Sequence, residues 1–122
     1  MLVKPAYVNV TLWILQILTA AMFLFAGGLK LAGSAEVAAV FDTIGLGQWF
    51  RYVTGGVEVT GAILLLIPRT SAIGAALLAA TMVGAIATHL FVIGGSPAAA
   101  VVLLLITSTV AWKRRGTLSA RR

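Results

Sequence analysis

The sequence has no cysteine and few charged residues, and both shortages restrict what the protein can be. Without cysteine, the chain can form no disulfide and no thiolate nucleophile, and it cannot hold an iron–sulfur cluster through thiolates. A four-helix thiol oxidoreductase is also excluded, because such an enzyme needs its own cysteine pair. Charged residues make up 10% of the 122 residues, whereas soluble domains carry about 25%. So few charges cannot cover the surface of a soluble fold of this size.

Acidic residues are the scarcer charged type, with three of them against nine lysines and arginines and a net charge of +6. In a soluble protein, such an excess of cations indicates nucleic acid binding. Here five of the nine cations lie in the last ten residues, directly after an apolar run: Lys113, Arg114, Arg115, Arg121 and Arg122. A basic tail in that position sets the orientation of a membrane protein and attracts anionic lipid. We therefore expect the lipid bilayer, and no nucleic acid, as a partner.

Apolar residues make up 61% of the chain and form four runs, at about residues 7–29, 49–67, 70–93 and 97–112. A helix that spans a bilayer needs about 20 apolar residues. The mainly apolar part of the second run, residues 53–67, has only 15 residues. The run therefore spans only if it begins near Trp49, with Trp49, Phe50 and Tyr52 at the headgroup level. The sequence predicts an all-α integral membrane protein: a single domain over residues 1–122, built as a four-transmembrane-helix bundle with a basic tail at 113–122.

Two shorter segments lie between these runs. Ser34 and Glu36, followed by the apolar residues 37–41, predict a short amphipathic helix at the membrane interface between the first and second spans. Gly94, Gly95, Ser96 and Pro97 predict a turn before the fourth span, with Ser96 as a cap and Pro97 at the first helical position.

The distribution of cations predicts the orientation. Cytoplasmic loops carry an excess of lysine and arginine. One side of the predicted bundle has seven cations, which are Lys4, Arg69 and the five of the tail, and the other side has Lys30 and Arg51. We therefore expect a multi-pass protein of the cell membrane with both termini in the cytoplasm.

Four polar residues fall within or at the ends of the predicted spans: Lys30, Arg51, Glu58 and His89. A charge inside the bilayer costs at least about 2.5–3.5 kcal/mol, so such residues mark functional sites. Counting along the spans places Lys30, Glu58 and His89 in the outer half of the membrane, with Arg51 above them toward the outer side. Glu58 also shares its helix face with Gly55 and Gly61, small residues typical of helix contacts in membranes. We expect these four residues to form one candidate binding cluster inside the bundle.

Each of these residues also has a structural interpretation. Glu58 either pairs with Lys30 or Arg51 to hold the helices together, or takes part in ligand binding or proton transfer, or is protonated and hydrogen-bonded to the backbone. His89, close to the outer end of its span, is either a hydrogen-bonded interfacial residue or a ligand. One histidine and one glutamate do not complete a zinc site, so no metal is predicted. No nucleotide-binding or catalytic motif is present, and no cofactor is evident from the residues.

Three segments, residues 25–31 (FAGGLKL), 55–62 (GGVEVTGA) and 82–89 (MVGAIATH), carry a resemblance to a known family. In order and spacing the chain resembles the DoxX-like family of small bacterial four-helix membrane proteins, from about residue 12 to 112. Lys30, Glu58 and His89 stand at the polar positions of the family pattern. The family is named for a subunit associated with thiosulfate:quinone oxidoreductase, and the resemblance implies a polar site formed by these three residues.

Three functions are compatible with these observations. The first is a small subunit that supports membrane redox chemistry by binding a quinone. It would be an accessory subunit rather than a stand-alone enzyme, and a redox partner protein would supply the electron carriers. The second is a non-catalytic structural or assembly subunit of a membrane complex. The third is a transporter, which would require a homo-oligomer because four short helices are few for an alternating-access site.

Overall fold

A computed structural model describes residues 6–116, and these residues are all-helical, with no strand among them. The α-helices are α1 (Ala6–Ala32), α2 (Ala35–Ile44), α3 (Trp49–Leu66), α4 (Ser71–Thr88) and α5 (Ala98–Lys113). A 3-10 turn (Pro68–Thr70) precedes α4, and a π-helical turn (His89–Ile93) follows it. The expected all-helical fold is thus confirmed for this part of the chain. Lys4, Arg121 and Arg122 of the predicted cytoplasmic side lie outside the described residues.

Two helices in the described range are long and apolar enough to cross a membrane. They are α1 and the continuous helix Pro68–Ile93, which contains α4. α5 is a shorter apolar helix, and α3 carries Arg51 and Glu58 within its 18 residues.

α2 forms where Ser34 and Glu36 predict a helix. The Ser34 hydroxyl accepts a hydrogen bond from the backbone N–H of Val37 at 3.4 Å and so caps the first turn. Gly45 ends the helix with φ +86°, a left-handed conformation that glycine adopts without steric cost. α2 therefore connects α1 to α3 as an ordered element.

The four long helices form a bundle in which α3 packs between α1 and α4, and α5 packs against α4. Each long helix contributes a fully buried side chain to the core, which contains Phe23, Leu65, Leu78 and Val110. The outer surface of the same helices is apolar, with large exposed side chains such as Ile14, Phe25 and Leu105. An apolar exterior of this extent is typical of a protein surrounded by lipid.

Glycines let the neighbouring helices approach closely. A Cβ on Gly27 of α1 would lie 2.9 Å from the carbonyl oxygen of Gly55 in α3, and a Cβ on Gly55 would lie 2.9 Å from that of Gly27. At the next interface, a Cβ on Gly74 of α4 would lie 2.6 Å from the backbone nitrogen of Leu65. Small residues at such crossings provide the van der Waals packing that holds helices together in membranes. The α1–α3 contact brings the end of α1 against the first half of α3.

The predicted third span over 70–93 is helical throughout but not uniform. Its last five residues, from His89, form the π-helical turn, and Gly94 then leaves the helix with φ +75°. A π turn shifts the side chains that follow it around the helix axis, and such turns are frequent at functional sites. The fourth predicted helix begins one residue later than expected: α5 begins at Ala98, and Pro97 occupies the N-cap position instead of the first helical position. The Ala98 N–H donates to the Ser96 hydroxyl at 3.1 Å.

Candidate functional site

A half-open cavity of about 380 Å³ lies at the end of the bundle where α1 ends and α3 begins. Its walls come from α1, α2, the first half of α3, and the second half of α4 with the π turn. Lys30, Glu58 and His89 all line it, so the structure brings three of the four candidate residues to one space. Aromatic and aliphatic side chains complete the walls, among them Phe41 and Phe50.

Lys30 and Glu58 form an ion pair between α1 and α3, with Lys30 Nζ 2.9 Å from Glu58 Oε1. The Glu58 side chain is 5% exposed and that of Lys30 is 20% exposed. The contact lacks the angular geometry of a hydrogen bond, so it is an electrostatic pairing of the two charges. The sequence allowed either Lys30 or Arg51 as the ion-pair partner of Glu58, and in the structure the partner is Lys30. The other carboxylate oxygen, Oε2, has no hydrogen-bond partner among the described residues.

His89 is the first residue of the π turn and is half-buried. Its Nδ1 lies 2.9 Å from the carbonyl oxygen of Gly94. Because a carbonyl oxygen only accepts, Nδ1 carries the hydrogen of this bond, and in the neutral imidazole Nε2 is then an acceptor. The carbonyl group of Gly94, directly after the π turn, thereby determines the tautomer of His89. His89 is thus hydrogen-bonded, and this bond leaves Nε2 available for a role in binding.

Three threonines also line the cavity: Thr54, Thr81 and Thr88. Each hydroxyl donates to the backbone carbonyl four residues earlier, at 2.9 Å, 2.9 Å and 2.8 Å respectively. These local bonds satisfy the hydroxyl hydrogens within their own helices, and they leave the oxygen lone pairs available to a ligand.

Arg51, the fourth candidate, does not line the cavity. It is buried, and its guanidinium donates to the carbonyl oxygen of Lys30 and, at 2.7 Å, to Gln48 Oε1. The same group lies 4.3 Å from the centre of the Tyr52 ring. Arg51 therefore neutralises the carbonyl end of α1, where a cation is favourable. Gln48 in turn donates to Ala38 O and Asp42 Oδ1 of α2, so this chain of bonds holds α2 over the cavity end of the bundle.

A second buried polar cluster, at the opposite end of the bundle, was not predicted from the sequence. Gln16 of α1 is fully buried and donates to Leu65 O at 2.9 Å and to the Ser71 hydroxyl at 3.1 Å. Its Oε1 accepts from Arg114 Nε at 2.8 Å, and Arg114 Nη1 donates to Asn9 at 2.7 Å. Burial lowers the pKa of the Arg114 guanidinium from its ordinary value. The signal for this cluster is Gln16 itself, since a buried amide in an apolar helix requires partners.

The Gln16 cluster and the cavity differ in what they leave unsatisfied. In the Gln16 cluster the amide is bonded through both its nitrogen and its oxygen, as a structural network requires. In the cavity, Glu58, His89 and the threonines keep acceptor capacity that the described residues do not use. No group of three or more histidine, aspartate or glutamate side chains that could hold a metal ion occurs in residues 6–116. The cavity therefore has the chemistry to bind the polar head of an otherwise apolar molecule.

The comparisons with known proteins agree with the resemblance seen in the sequence. A family model described as the DoxX-like family matches residues 14–112. This range contains all the residues that line the cavity. Neither a curated protein nor a solved structure matches the chain significantly.

Proposed function

The chain belongs to the DoxX-like family, and we propose that it is a multi-pass protein of the cell membrane whose four long helices cross the bilayer, with both termini in the cytoplasm. The apolar exterior of the bundle and the two long apolar helices support a membrane location. The excess of cations on the side opposite the cavity supports the orientation. In this arrangement the cavity lies in the outer half of the membrane.

The function that the cavity supports best is binding of a quinone-type molecule from the bilayer, as a small subunit of a redox complex. The observation that carries this proposal is the Lys30–Glu58 ion pair in an apolar cavity that also contains His89. Its volume of about 380 Å³ falls in the range of small-molecule pockets, about 300–1,000 Å³. The walls suit an apolar ring, and the polar groups suit the ring oxygens. A partner protein carries the electrons in this proposal.

Quinone binding to the purified protein in lipid nanodiscs tests this function. A short-chain benzoquinone is titrated against the wild type and against Gly84→Phe, which fills the cavity. Gly84 lines the cavity, and a Cβ there meets no atom within 4 Å. Gly56→Phe is the matched control, since its Cβ also meets no atom within 4 Å and Gly56 does not line the cavity. We expect saturable binding to the wild type and to Gly56→Phe, and loss of binding in Gly84→Phe. Absence of saturable binding to the wild type would disprove the proposal.

A structural or assembly role is the second candidate, and one contact favours it: the ion pair joins α1 directly to α3. A purely structural protein would bind no quinone, and its folded Glu58→Gln variant would support any activity of the complex as well as the wild type does. In the redox proposal, the same folded variant binds quinone more weakly and supports less activity.

A further inference from the structure

The unused hydrogen-bonding capacity of the cavity is unevenly divided between donors and acceptors. The hydroxyl hydrogens of Thr54, Thr81 and Thr88 are all engaged with backbone carbonyls, so each group faces a ligand only as an acceptor. This pattern applies to every threonine that lines the cavity.

The two ionisable residues other than lysine follow the same pattern. The Nδ1–H of His89 is bonded to Gly94 O, which makes Nε2 of the neutral ring an acceptor. Glu58 as a whole residue is 3% exposed, and neither of its carboxylate oxygens has a hydrogen-bond partner in residues 6–116, Oε1 being the more deeply buried. An unsatisfied carboxylate oxygen in such a buried position favours a ligand that donates to it.

Lys30 is the one cavity side chain in the described residues with free donor hydrogens, since its ammonium group has three and Glu58 engages one side of it. A ligand with only carbonyl oxygens can therefore bond to Lys30 and faces acceptors elsewhere. A ligand with hydroxyl groups can accept from Lys30 and also donate to Glu58, His89 or a threonine.

We infer that the cavity distinguishes the two redox forms of a quinone-type ligand and binds the hydroquinone more tightly than the quinone. This inference rests on the proposed function, because it assigns the preferred form of the ligand at the same site. It follows from the geometry of Glu58, His89 and the three threonines together. Since a hydrogen bond to a charged group is stronger than one between neutral groups, we expect a difference in affinity of about tenfold or more.

Anaerobic titration of the protein in nanodiscs with three matched ligands tests this preference. The ligands are tetramethylhydroquinone, tetramethylbenzoquinone and the dimethyl ether of the hydroquinone, which keeps the ring but has no donor hydrogen. We expect the hydroquinone to bind about tenfold or more tightly than either of the others. Equal affinities, or tighter binding of the quinone, would overturn the inference and leave the proposed function standing. If none of the three binds, the proposed function itself fails.

A threonine variant tests the origin of the preference. Thr54→Val keeps the shape of the side chain and removes an acceptor one turn from Glu58. We expect it to weaken hydroquinone binding several-fold and quinone binding by clearly less. Thr11→Val is the control, because Thr11 makes the same bond to its own helix, at 2.7 Å to Tyr7 O, outside the cavity. An equal loss of affinity for both ligands in Thr54→Val, or an equal effect of Thr11→Val, would contradict the inference.

Discussion

The Lys30–Glu58 pair dominates the electrostatics of the cavity, because both charges sit against apolar walls. In such surroundings an unpaired charge is expensive, and removal of one partner costs more than removal of both. The pair is not equally enclosed on its two sides, since the lysine side chain is 20% exposed and the glutamate 5%. We therefore expect Glu58 to depend more on Lys30 than Lys30 depends on Glu58.

A double-mutant cycle tests this asymmetry. Lys30→Met leaves the buried carboxylate unpaired and should lower the free energy of unfolding by about 1–3 kcal/mol. Glu58→Gln should lower it less, because the lysine can turn toward solvent or headgroups. The double variant should be less destabilised than the sum of the two. Reversible unfolding in mixed detergent micelles measures all three, and strictly additive effects would contradict a direct interaction.

The hydrogen bond of His89 gives a second prediction for a single residue, the tautomer of its ring. The bond from Nδ1 to Gly94 O predicts that the neutral ring carries its hydrogen on Nδ1, the less common form in solution. Nitrogen-15 NMR of the histidine ring, with the single histidine of the sequence as an unambiguous label, distinguishes the two tautomers by their chemical shifts. A ring protonated on Nε2 alone would contradict the assignment of Nε2 as an acceptor.

Among the helices, the glycine contacts determine how closely α1, α3 and α4 pack. Gly74 and Gly61 face each other across the α3–α4 interface, but their surroundings differ. A Cβ on Gly74 meets the backbone of α3, at 2.6 Å from Leu65 N and 2.7 Å from Gly61 O. A Cβ on Gly61 meets the side chain of Leu78, at 2.7 Å. A side chain can move aside more readily than a helix backbone.

Alanine substitutions at these positions should therefore rank in a definite order. Gly74→Ala should destabilise the bundle by about 1–3 kcal/mol, the usual range for overpacking, and Gly61→Ala by less. Gly28→Ala is the control, since a Cβ there meets no atom within 4 Å. Thermal unfolding in one detergent compares the three. A Gly61→Ala variant less stable than Gly74→Ala would contradict this packing of α4 against α3.

The helices illustrate what could be predicted from the sequence. Hydrophobicity and turn residues predict the helical segments, because the limits of a helix depend on local composition. The small residues on the helix face of Glu58 predict that this side chain is buried. The π turn could not be predicted, because it continues the apolar run of α4 and hydrophobicity does not distinguish a π turn from an α turn. The position of Arg114 could not be predicted either, because its bond to Gln16 joins residues far apart in the chain. The sequence predicts Arg114 as part of a basic tail beyond the fourth helix, whereas its guanidinium packs against Gln16 and Trp13 of α1.

The proposed four-span topology depends on α3 and α5, because neither is among the helices of the described range that are long and apolar enough to cross a membrane. If all four long helices cross the membrane, positions 46 and 96 lie on the outer side and position 116 lies in the cytoplasm. If only α1 and Pro68–Ile93 cross, position 96 joins position 116 on one side of the membrane. The three positions thus distinguish four spans from two.

Single-cysteine labelling can test this directly, because the sequence contains no cysteine. Leu46→Cys, Ser96→Cys and Gly116→Cys each introduce one thiol at an exposed position. We expect a membrane-impermeant maleimide to label the first two in intact cells and the third only after lysis. The same labelling behaviour for Ser96→Cys and Gly116→Cys would show that α5 does not cross.

The molecule as a whole has two polar sites: a cluster at one end in which the Gln16 amide is bonded through both its nitrogen and its oxygen, and a cavity with unused acceptors at the other end. Photo-crosslinking with an azido-benzoquinone in nanodiscs, followed by mass spectrometry of the adducts, tests directly which end binds the ligand. We expect adducts on cavity residues such as Thr54, Ala85 and His89, and competition by unlabelled quinone. Adducts confined to the end that contains Gln16 and Arg114, or spread over the lipid-facing surface without competition, would contradict the assignment of the cavity as the binding site.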